Sequence, residues 1–232
     1  MTRQELIRLN KKAIERRIDI INMIYKAKSG HTGGALSSVD IIVSLFYKIM
    51  KYKPENPEWS DRDRFILSKG HSVEGYYSVL ADCGFFPKEE LKNYCQYESM
   101  LTGHPTTKVP GVEVNTGSLG HGLAVGIGMA IAGKMEHKSY KVYVLMGDGE
   151  LDEGTVWEAA QIASHYKLDN LIGIVDRNRL QITGNTEEIL KLENLKDKWQ
   201  AFGWCVNKVN GHDIQELVTA FESIPTVSYT HL

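Results

Sequence analysis

Two oxygen-bearing side chains, Asp148 and Asn178, each follow a short apolar run that is typical of a buried strand. KVYVLM precedes Gly147-Asp148-Gly149, and LIGIVD precedes Asn178 by two positions. Neighbouring parallel strands end at the same edge of a sheet, where ligands collect. Mg²⁺ prefers hard oxygen ligands, and the backbone carbonyl of Leu180 is a third candidate. The tripeptide alone is more typical of a turn, but together with Asn178 it predicts a magnesium and diphosphate site.

Gly149 has no side chain, so a phosphate could approach the backbone there, and the helix start that follows favours anions. A second glycine-rich segment, TGSLGHGL at 116–123, precedes an apolar helix. Such a loop allows backbone groups to contact a flat ligand ring. The structural alternative is a close-packed turn that needs its glycines for packing alone.

Four histidines stand in loops bounded by glycine or proline, where binding groups often cluster. They are His31, His71, His104 and His121. A single loop histidine is usually a surface residue, and these four are not spaced as zinc ligands on one helix face. Imidazoles in such loops could bind hydroxyls and phosphates or transfer protons. The histidines outside such loops, His137, His165 and His212, are interpreted as structural.

The acidic residues after the GDG turn have two interpretations. Glu150, Asp152, Glu153 and Glu158 could form a solvated helix start, since carboxylates are favoured there. The alternative is a buried network at an interface between chains.

Strands that alternate with helices position these residues. Ile7, Ile14, Ile18, Ile21 and Tyr25 recur at helical spacing and predict an amphipathic helix that ends near Lys28. Ser37 is the predicted N-cap of a second helix that stops before Pro54. RFILS at 64–68, KVYVLM and LIGIVD predict strands, with helices to Gly84 and over 154–166. The predicted fold is α/β, a parallel sheet flanked by helices.

Composition excludes several functional classes. The chain has 232 residues and a net charge of −2, which does not favour nucleic-acid or membrane-surface binding. Three widely spaced cysteines fit neither a disulfide framework nor a zinc site, which favours a reducing cytoplasm. The charged N-terminus has no apolar core of a signal peptide. The most apolar stretch, at 123–133, is too short to span a bilayer, which needs roughly 20 residues.

Six motifs in order along the chain resemble the diphosphate-binding half of transketolase. They are SGHTGGALS, RFILSKGH, TGHP, TGSLGHG, GDGELDEG and DRNRLQITG. The length is similar to that of the amino-terminal subunit of split transketolases, in which two chains share the enzyme. The resemblance implies the thiamine-diphosphate-binding fold, with one diphosphate-binding domain over residues 1–226.

The resemblance also implies roles for individual residues, with thiamine diphosphate and Mg²⁺ as cofactors. Mg²⁺ would be held by Asp148, Asn178 and the carbonyl of Leu180. The cofactor would contact Gly117, Ser118, Leu119, Gly147, Gly149, Glu150 and His71. The ketose would be surrounded by His31, His71 and His104. Glu153 and Glu158 match acidic residues that lie between the two active sites of the family's dimer.

Three positions depart from the common pattern of the family. Arg177 stands where Asn is frequent, His121 replaces a common Gln, and Lys69 replaces an uncharged polar residue. The family also uses a glutamate from a pyrimidine-binding domain to activate the cofactor, and this chain has no second domain to supply it. We therefore expect a pyrimidine-binding partner subunit, a dimer of heterodimers, and inactivity of this chain alone.

The C-terminus is shorter than the resemblance implies. After Asn210 a helix is predicted to Phe221, where the family continues with a strand and a histidine-bearing loop. The last residues, VSYTHL at 227–232, resemble a translated adapter, so we expect a truncated domain with a non-native tail.

The leading functional hypothesis is transfer of a two-carbon ketol unit from a ketose phosphate to an aldose phosphate. One alternative is another thiamine-diphosphate reaction, such as acyloin synthesis or 2-oxo acid decarboxylation. A second alternative is a non-catalytic cofactor-binding partner. A nucleotide-binding domain that uses Asp148 for Mg²⁺ is disfavoured, because the sequence has no GxxxxGK[ST] loop.

Overall fold

The computed structural model describes residues 1–182, 184–224 and the backbone of 229–230. Apart from that backbone, the predicted non-native tail at 227–232 lies outside the described residues. The helices and strands follow in chain order: α1 (Arg3–Ala27), α2 (Thr32–Ser44), β1 (Arg64–Leu67), α3 (Val73–Asp82), α4 (Gly122–Met135), β2 (Val142–Gly147), α5 (Gly154–His165), β3 (Leu171–Asp176), β4 (Leu180–Gln181), β5 (Gly184–Asn185), α6 (Thr186–Ile189), α7 (Leu195–Ala201), β6 (Cys205–Val206), α8 (Ile214–Glu222) and β7 (Tyr229–Thr230).

The chain divides into two compact units. The helical unit contains residues 1–62, 70–117 and 210–223, and the sheet unit contains residues 63–69, 118–209 and 224–232. The prediction of one diphosphate-binding domain over residues 1–226 stays a prediction.

The helical unit is built from α1, α2, α3 and α8. A capping box starts α1, in which the Thr2 hydroxyl accepts from the Glu5 N–H and the Glu5 carboxylate accepts from the Thr2 N–H. Lys28, with φ of 53°, ends the helix in the left-handed conformation. Inside the unit Arg16 is fully buried and pairs with Asp19 at 2.9 Å and Asp82 at 2.5 Å.

Helix α1 forms as predicted, but its isoleucine stripe does not face the core. Ile7, Ile14, Ile18, Ile21 and Tyr25 are between 51% and 73% exposed. The buried face carries instead Leu9, Ala13, Arg16, Ile20 and Met23. Both stripes have helical spacing, and the ion pairs of Arg16 belong to the second one. Periodicity established the helix but could not choose between its faces.

The predicted N-cap of α2 is wrong. The helix starts at Thr32, so Ser37 lies inside it, and the residue before the helix is His31. Gly30, with φ of 144°, turns the chain between α1 and α2, and this early turn allows α2 to begin directly after the histidine. The helix continues as a single π-helical turn at Leu45–Ile49, which ends before Pro54 as predicted.

The sheet unit has a parallel sheet in the order β1-β2-β3. Arg64 pairs with Val142, and Gly147 pairs with Asp176 at the carboxyl end. All residues of β2 and β3 are buried, as expected for strands covered on both faces. The shorter pairs are antiparallel β4-β5 and parallel β6-β7.

The glycine-rich helix α4 packs closely against the sheet. A methyl group on Gly126 would come within 2.6 Å of the Val144 side chain, so only glycine allows this approach. The α/β prediction, a parallel sheet flanked by helices, is confirmed. Among the described residues no helix is long and apolar enough to cross a membrane. The predicted cytoplasmic location stays a prediction.

Candidate functional site

The ends of β2 and β3 bring the two predicted metal ligands into neighbouring segments of the sheet unit. The Asp148 N–H donates to the carbonyl of Asp176, and the Arg179 N–H donates to Asp148 Oδ2 at 2.7 Å. Asp148 Oδ1 accepts from the Gly149 N–H at 2.9 Å. Asn178 Oδ1 accepts from the Leu180 N–H, which closes a tight turn. The prediction that these strands are adjacent is confirmed.

The donor set suits a hard cation. Asp148 is 1% exposed, and its Oδ1 takes one hydrogen bond, which leaves a lone pair on that oxygen. Asn178 is half-buried and contributes an amide oxygen, and Leu180 is 66% exposed. Carboxylate, amide and backbone carbonyl oxygens are the ligands that Mg²⁺ takes from proteins, with the rest supplied by phosphate and water. The residues therefore fit the predicted metal.

Arg177, one of the three departures, contacts the carboxylate of Asp148, the predicted metal ligand. Its Nη1 donates to Asp148 Oδ2 at 2.8 Å and to the Thr186 hydroxyl at 2.6 Å. Its Nη2 donates to Glu187 and, at 3.1 Å, to Glu193. Burial lowers the pKa of the guanidinium, but the hydrogen bonds to Asp148 and Glu193 more than offset this, and the pKa is raised.

Glu150 lies inside the sheet unit and is 2% exposed. Both of its carboxylate oxygens accept hydrogen bonds from groups of this chain. Its Oε1 accepts from the Ser68 hydroxyl and from the Gly120 N–H at 2.9 Å, and its Oε2 accepts from the Gly147 N–H at 3.0 Å. Ser68 in turn accepts from the Gly122 N–H at 3.1 Å. Burial raises the pKa of Glu150. This carboxylate ties the glycine-rich loop to the ends of β1 and β2.

Gly149 has a close neighbour that the sequence did not indicate. A methyl group there would lie 2.9 Å from Oε1 of Gln181, a buried oxygen for which the structure shows no hydrogen-bond partner. A side chain at position 149 would therefore require the Gln181 side chain to shift. Glycine suits the position because Gln181 fills the space beside it.

In the helical unit, the structure brings three of the four loop histidines together. The ring centroids of His31 and His71 are 5.3 Å apart, and those of His31 and His104 are 6.4 Å apart. His31 and His104 are exposed, and His71 is half-buried. Three imidazoles within this distance can donate and accept several hydrogen bonds to one ligand.

Neighbouring residues fix the backbone of His31 and of His104 and leave room for the His104 ring. Gly117 has φ of 140°, and a methyl group there would come within 2.8 Å of the His104 ring. The Tyr77 hydroxyl donates to the His104 carbonyl at 2.9 Å. At the other ring, the buried carboxylate of Glu74 accepts from the His31 N–H at 2.9 Å and from the Tyr94 hydroxyl at 2.8 Å.

The fourth loop histidine, His121, belongs to the sheet unit. It precedes α4, and its Nδ1 lies 3.0 Å from the Leu119 carbonyl. In the same loop Ser118 is exposed, Leu119 is half-buried, and Gly120 packs against Glu153. His212, interpreted as structural, pairs with Asp40 at 2.8 Å in the helical unit.

The acidic residues after the GDG turn divide into two groups. Glu150 is interior, whereas Asp152, Glu153 and Glu158 are exposed. Burial raises the pKa of Asp152. The two residues assigned to an interface, Glu153 and Glu158, therefore remain accessible in this chain.

Sequence reasoning missed the contacts made by three side chains that organise these groups, although it named Lys69 as a departure from the family pattern. They are Glu74 behind His31, Ser68 beside Glu150, and Lys69, whose ammonium pairs with Asp176 in the interior. A signal existed for Glu74 and Lys69, because each is a charge within an otherwise apolar or small-residue segment. For Ser68 no signal existed, since its partner lies far away in the sequence.

Residues 9–228 match the family described as "Transketolase, thiamine diphosphate binding domain". The chain belongs to the transketolase family. Among its relatives, a subunit of the apulose-4-phosphate transketolase of Phocaeicola vulgatus is 51% identical over 88% of this chain and 73% of that protein. The 6-deoxy-6-sulfo-D-fructose transketolase subunit SqwG of Clostridium sp. (strain MSTE9) is 44% identical over 86% of this chain and 73% of its own length.

Solved transketolases share the fold. The enzyme of Campylobacter jejuni superposes with a TM-score of 0.93 at 37% identity, covering all of this chain and 38% of its own. A Pichia stipitis transketolase in complex with sedoheptulose-7-phosphate gives a TM-score of 0.89 at 32% identity over 97% of this chain. This chain spans 36% of that enzyme.

These matches confirm the resemblance of this transketolase chain to the amino-terminal, diphosphate-binding subunit of the split type. They also confirm the thiamine-diphosphate-binding fold, thiamine diphosphate as the cofactor of the domain, and membership of an enzyme family of transferases. Relatives that are named as subunits imply that such a chain has a partner.

Proposed function

We propose that this chain is the diphosphate-binding subunit of a two-chain transketolase. With thiamine diphosphate and Mg²⁺, the complex transfers a two-carbon ketol unit from a ketose phosphate to an aldose phosphate. The observation that carries the proposal is the group of three imidazoles, in which the ring centroids of His71 and His104 lie 5.3 Å and 6.4 Å from that of His31. Clustered imidazoles suit a substrate with several hydroxyls, whose protons must be held or moved during the reaction.

The metal end is assigned to the sheet unit. Asp148, Asn178 and the carbonyl of Leu180 hold Mg²⁺, which binds the diphosphate. When bound, thiamine diphosphate supplies the carbon nucleophile and the electron sink of the reaction. The protein binds and orients it with Gly117, Ser118, Leu119, Gly147, Gly149 and His71. Glu150 acts through the backbone of Gly120 and Gly147, since its oxygens are engaged there.

The three imidazoles are assigned to the sugar. Their ring nitrogens bind the ketose hydroxyls and exchange protons with them, and the absence of a side chain at Gly117 leaves room for the His104 ring. A polyhydroxylated substrate is supported by the name of the Pichia stipitis structure, which contains a seven-carbon ketose phosphate. Relatives named for apulose-4-phosphate and for a sulfonated fructose broaden the candidate substrates to both phosphate and sulfonate sugars.

We assign the carboxylic acid that activates the cofactor to a separate pyrimidine-binding subunit. Relatives that are named as transketolase subunits support a two-chain enzyme. A dimer of heterodimers is supported by exposed apolar residues of the sheet unit, which are between 40% and 76% exposed: Val125 and Met135 on α4, Ile162 on α5, and Tyr166 directly after α5. Glu158 lies exposed on the same α5, and we assign this helix pair to contact with a second copy of the chain.

Reconstitution with the partner subunit tests the proposal. The pair, supplied with thiamine diphosphate and Mg²⁺, should consume a ketose phosphate only when an aldose phosphate is present, and this chain alone should be inactive. Turnover by the single chain, or consumption of pyruvate instead of the ketose, would contradict the proposal. The second outcome would support the acyloin or decarboxylase alternative, and cofactor binding without any turnover would support a non-catalytic partner.

Asp148→Ala tests the metal assignment in the same complex. Asp169→Ala is the matched control, because Asp169 is a half-buried carboxylate that pairs with Lys134 in the same unit. Calorimetric binding of thiamine diphosphate with Mg²⁺ should be lost in the first variant and kept in the second. Equal binding by both variants would refute the assignment of Asp148.

A further inference from the structure

Asp148 is the buried end of an ionic network that extends away from the proposed metal position. Its Oδ2 binds the guanidinium of Arg177, whose side chain is only 5% exposed. The same guanidinium binds Glu187 and Glu193, so one cation is shared by three carboxylates. A buried carboxylate without a compensating charge is costly, and Arg177 supplies that charge to Asp148.

The two other carboxylates come from a separate segment of the sheet unit. Glu187 lies in α6, and Glu193 lies in the loop before α7. Burial opposes ionisation of Glu193, but the hydrogen bond from Arg177 outweighs it and the pKa of Glu193 is lowered. The Thr186 hydroxyl, fully buried, accepts a further hydrogen bond from Arg177. Arg177 therefore has anchors that do not depend on Asp148.

A divalent cation on Asp148 and the guanidinium are both attracted by the same carboxylate. Two positive groups within a few ångströms of each other repel, and in a poorly solvated site this repulsion is strong. Glu187 and Glu193 already bind the guanidinium, and they can keep it bound when a metal cation replaces it on Asp148. The balance between these carboxylates then decides how tightly the cation is held.

We propose that Arg177 is an exchangeable counter-ion of Asp148, displaced toward Glu187 and Glu193 when the metal binds, and that it thereby sets the metal affinity of the site. This inference rests on the proposed function, because it assumes that Asp148 is a metal ligand. It assigns Arg177 as a positioning residue, and it links metal occupancy to the segment that contains α6.

Two single substitutions should change the metal affinity in opposite directions. Arg177→Met removes the competing charge and should tighten metal binding on the order of tenfold. Glu187→Gln weakens the alternative anchor, keeps the guanidinium on Asp148, and should weaken metal binding. In the double variant the Glu187 substitution should have no further effect, because the guanidinium is gone. Structural damage alone would weaken binding in both single variants.

The probe is Mn²⁺ in the presence of thiamine diphosphate, with free Mn²⁺ measured by electron paramagnetic resonance on the reconstituted two-chain complex. Arg179→Met is the matched control, because Arg179 contacts Asp148 through its backbone N–H. It removes an equal charge nearby and should change the affinity much less than Arg177→Met. Arg177→Lys keeps the charge and should stay close to the wild-type affinity, even if Arg177→Met folds poorly.

The outcomes separate this inference from the proposed function. Loss of Mn²⁺ binding in Asp148→Ala, with unchanged or weaker binding in a folded Arg177→Met, overturns the counter-ion role and leaves the metal site intact. A tighter Glu187→Gln variant also overturns it. An Asp148→Ala variant that binds Mn²⁺ as tightly as the wild type refutes the metal site and, with it, the role of Arg177.

Discussion

Glu150 joins the glycine-rich loop to the end of β2, so its removal should destabilise the fold at both places. In Glu150→Ala the Gly120 N–H, the Gly147 N–H and the Ser68 hydroxyl lose their acceptor. An unsatisfied buried donor costs about 1–3 kcal/mol, and the hydroxyl can rotate toward another acceptor. The two backbone donors therefore contribute about 2–6 kcal/mol.

Part of this loss is offset, because the variant no longer buries a carboxylate. We expect a net decrease of about 2–4 kcal/mol in the free energy of unfolding. Glu150→Gln keeps the side-chain volume and one acceptor oxygen. Its NH₂ group replaces the other oxygen, so one of the two backbone N–H groups loses its acceptor. Its expected cost is smaller, about 1–2 kcal/mol.

Urea unfolding followed by tryptophan fluorescence measures these differences, and hydrogen exchange at the Gly120 and Gly147 amides shows where they arise. Both amides should exchange faster in Glu150→Ala. Glu136→Ala is the matched control, because Glu136 is exposed at the end of α4 and its loss should cost less than about 0.5 kcal/mol. A Glu150→Ala variant that loses under about 1 kcal/mol, or whose two amides exchange at the wild-type rate, refutes the reasoning.

Three further substitutions test other parts of the chain. Burial opposes ionisation of Asp82, but hydrogen bonds from its partners outweigh this effect and lower the pKa of Asp82 from 3.8 to about 2. Ionised Asp82 therefore stabilises the folded state by about 2–3 kcal/mol above about pH 4, and this stabilisation is lost as the pH falls through about 2. Denaturation of the wild type and of Asp82→Asn at each pH should show the difference in their free energies of unfolding shrink with acid. Gly117→Ala should displace the His104 ring and cost about 1–3 kcal/mol in thermal unfolding, because its φ is 140°. Gly128 is exposed, and a methyl group there would have no neighbour within 4 Å. Gly128→Ala should therefore raise the melting temperature, because alanine has about 1 kcal/mol more helix propensity than glycine. A lower melting temperature would contradict the open space at this position.

The strands and the adjacency of Asp148 and Asn178 could be predicted from sequence. KVYVLM and LIGIVD are continuous apolar runs, and such runs are buried on both faces in a parallel sheet. The end of each strand then fixes where the next polar residue lies. Local pattern and tertiary structure agree here, because the residues that define the strand also determine its burial.

The burial of α1 could not be predicted in the same way. Its sequence contains two apolar stripes, and the choice between them depends on Asp82, an acidic residue on α3 that pairs with Arg16. The roles of Arg177 and Ser68 were hidden for the same reason. Their partners are remote in sequence, and a single sequence carries no signal for which distant charges or hydroxyls will meet.

The parallel pairing of β1 with β2 also constrains how the chain is made. Arg64 and Val142, which pair in the sheet, are separated by about 80 residues of chain. At roughly 5–20 residues per second, a ribosome needs about 4–16 s between them. Throughout that interval the strand that pairs with β1 has not been synthesised, so β1 cannot form its hydrogen bonds to β2. The parallel sheet can therefore form only after β2 has emerged.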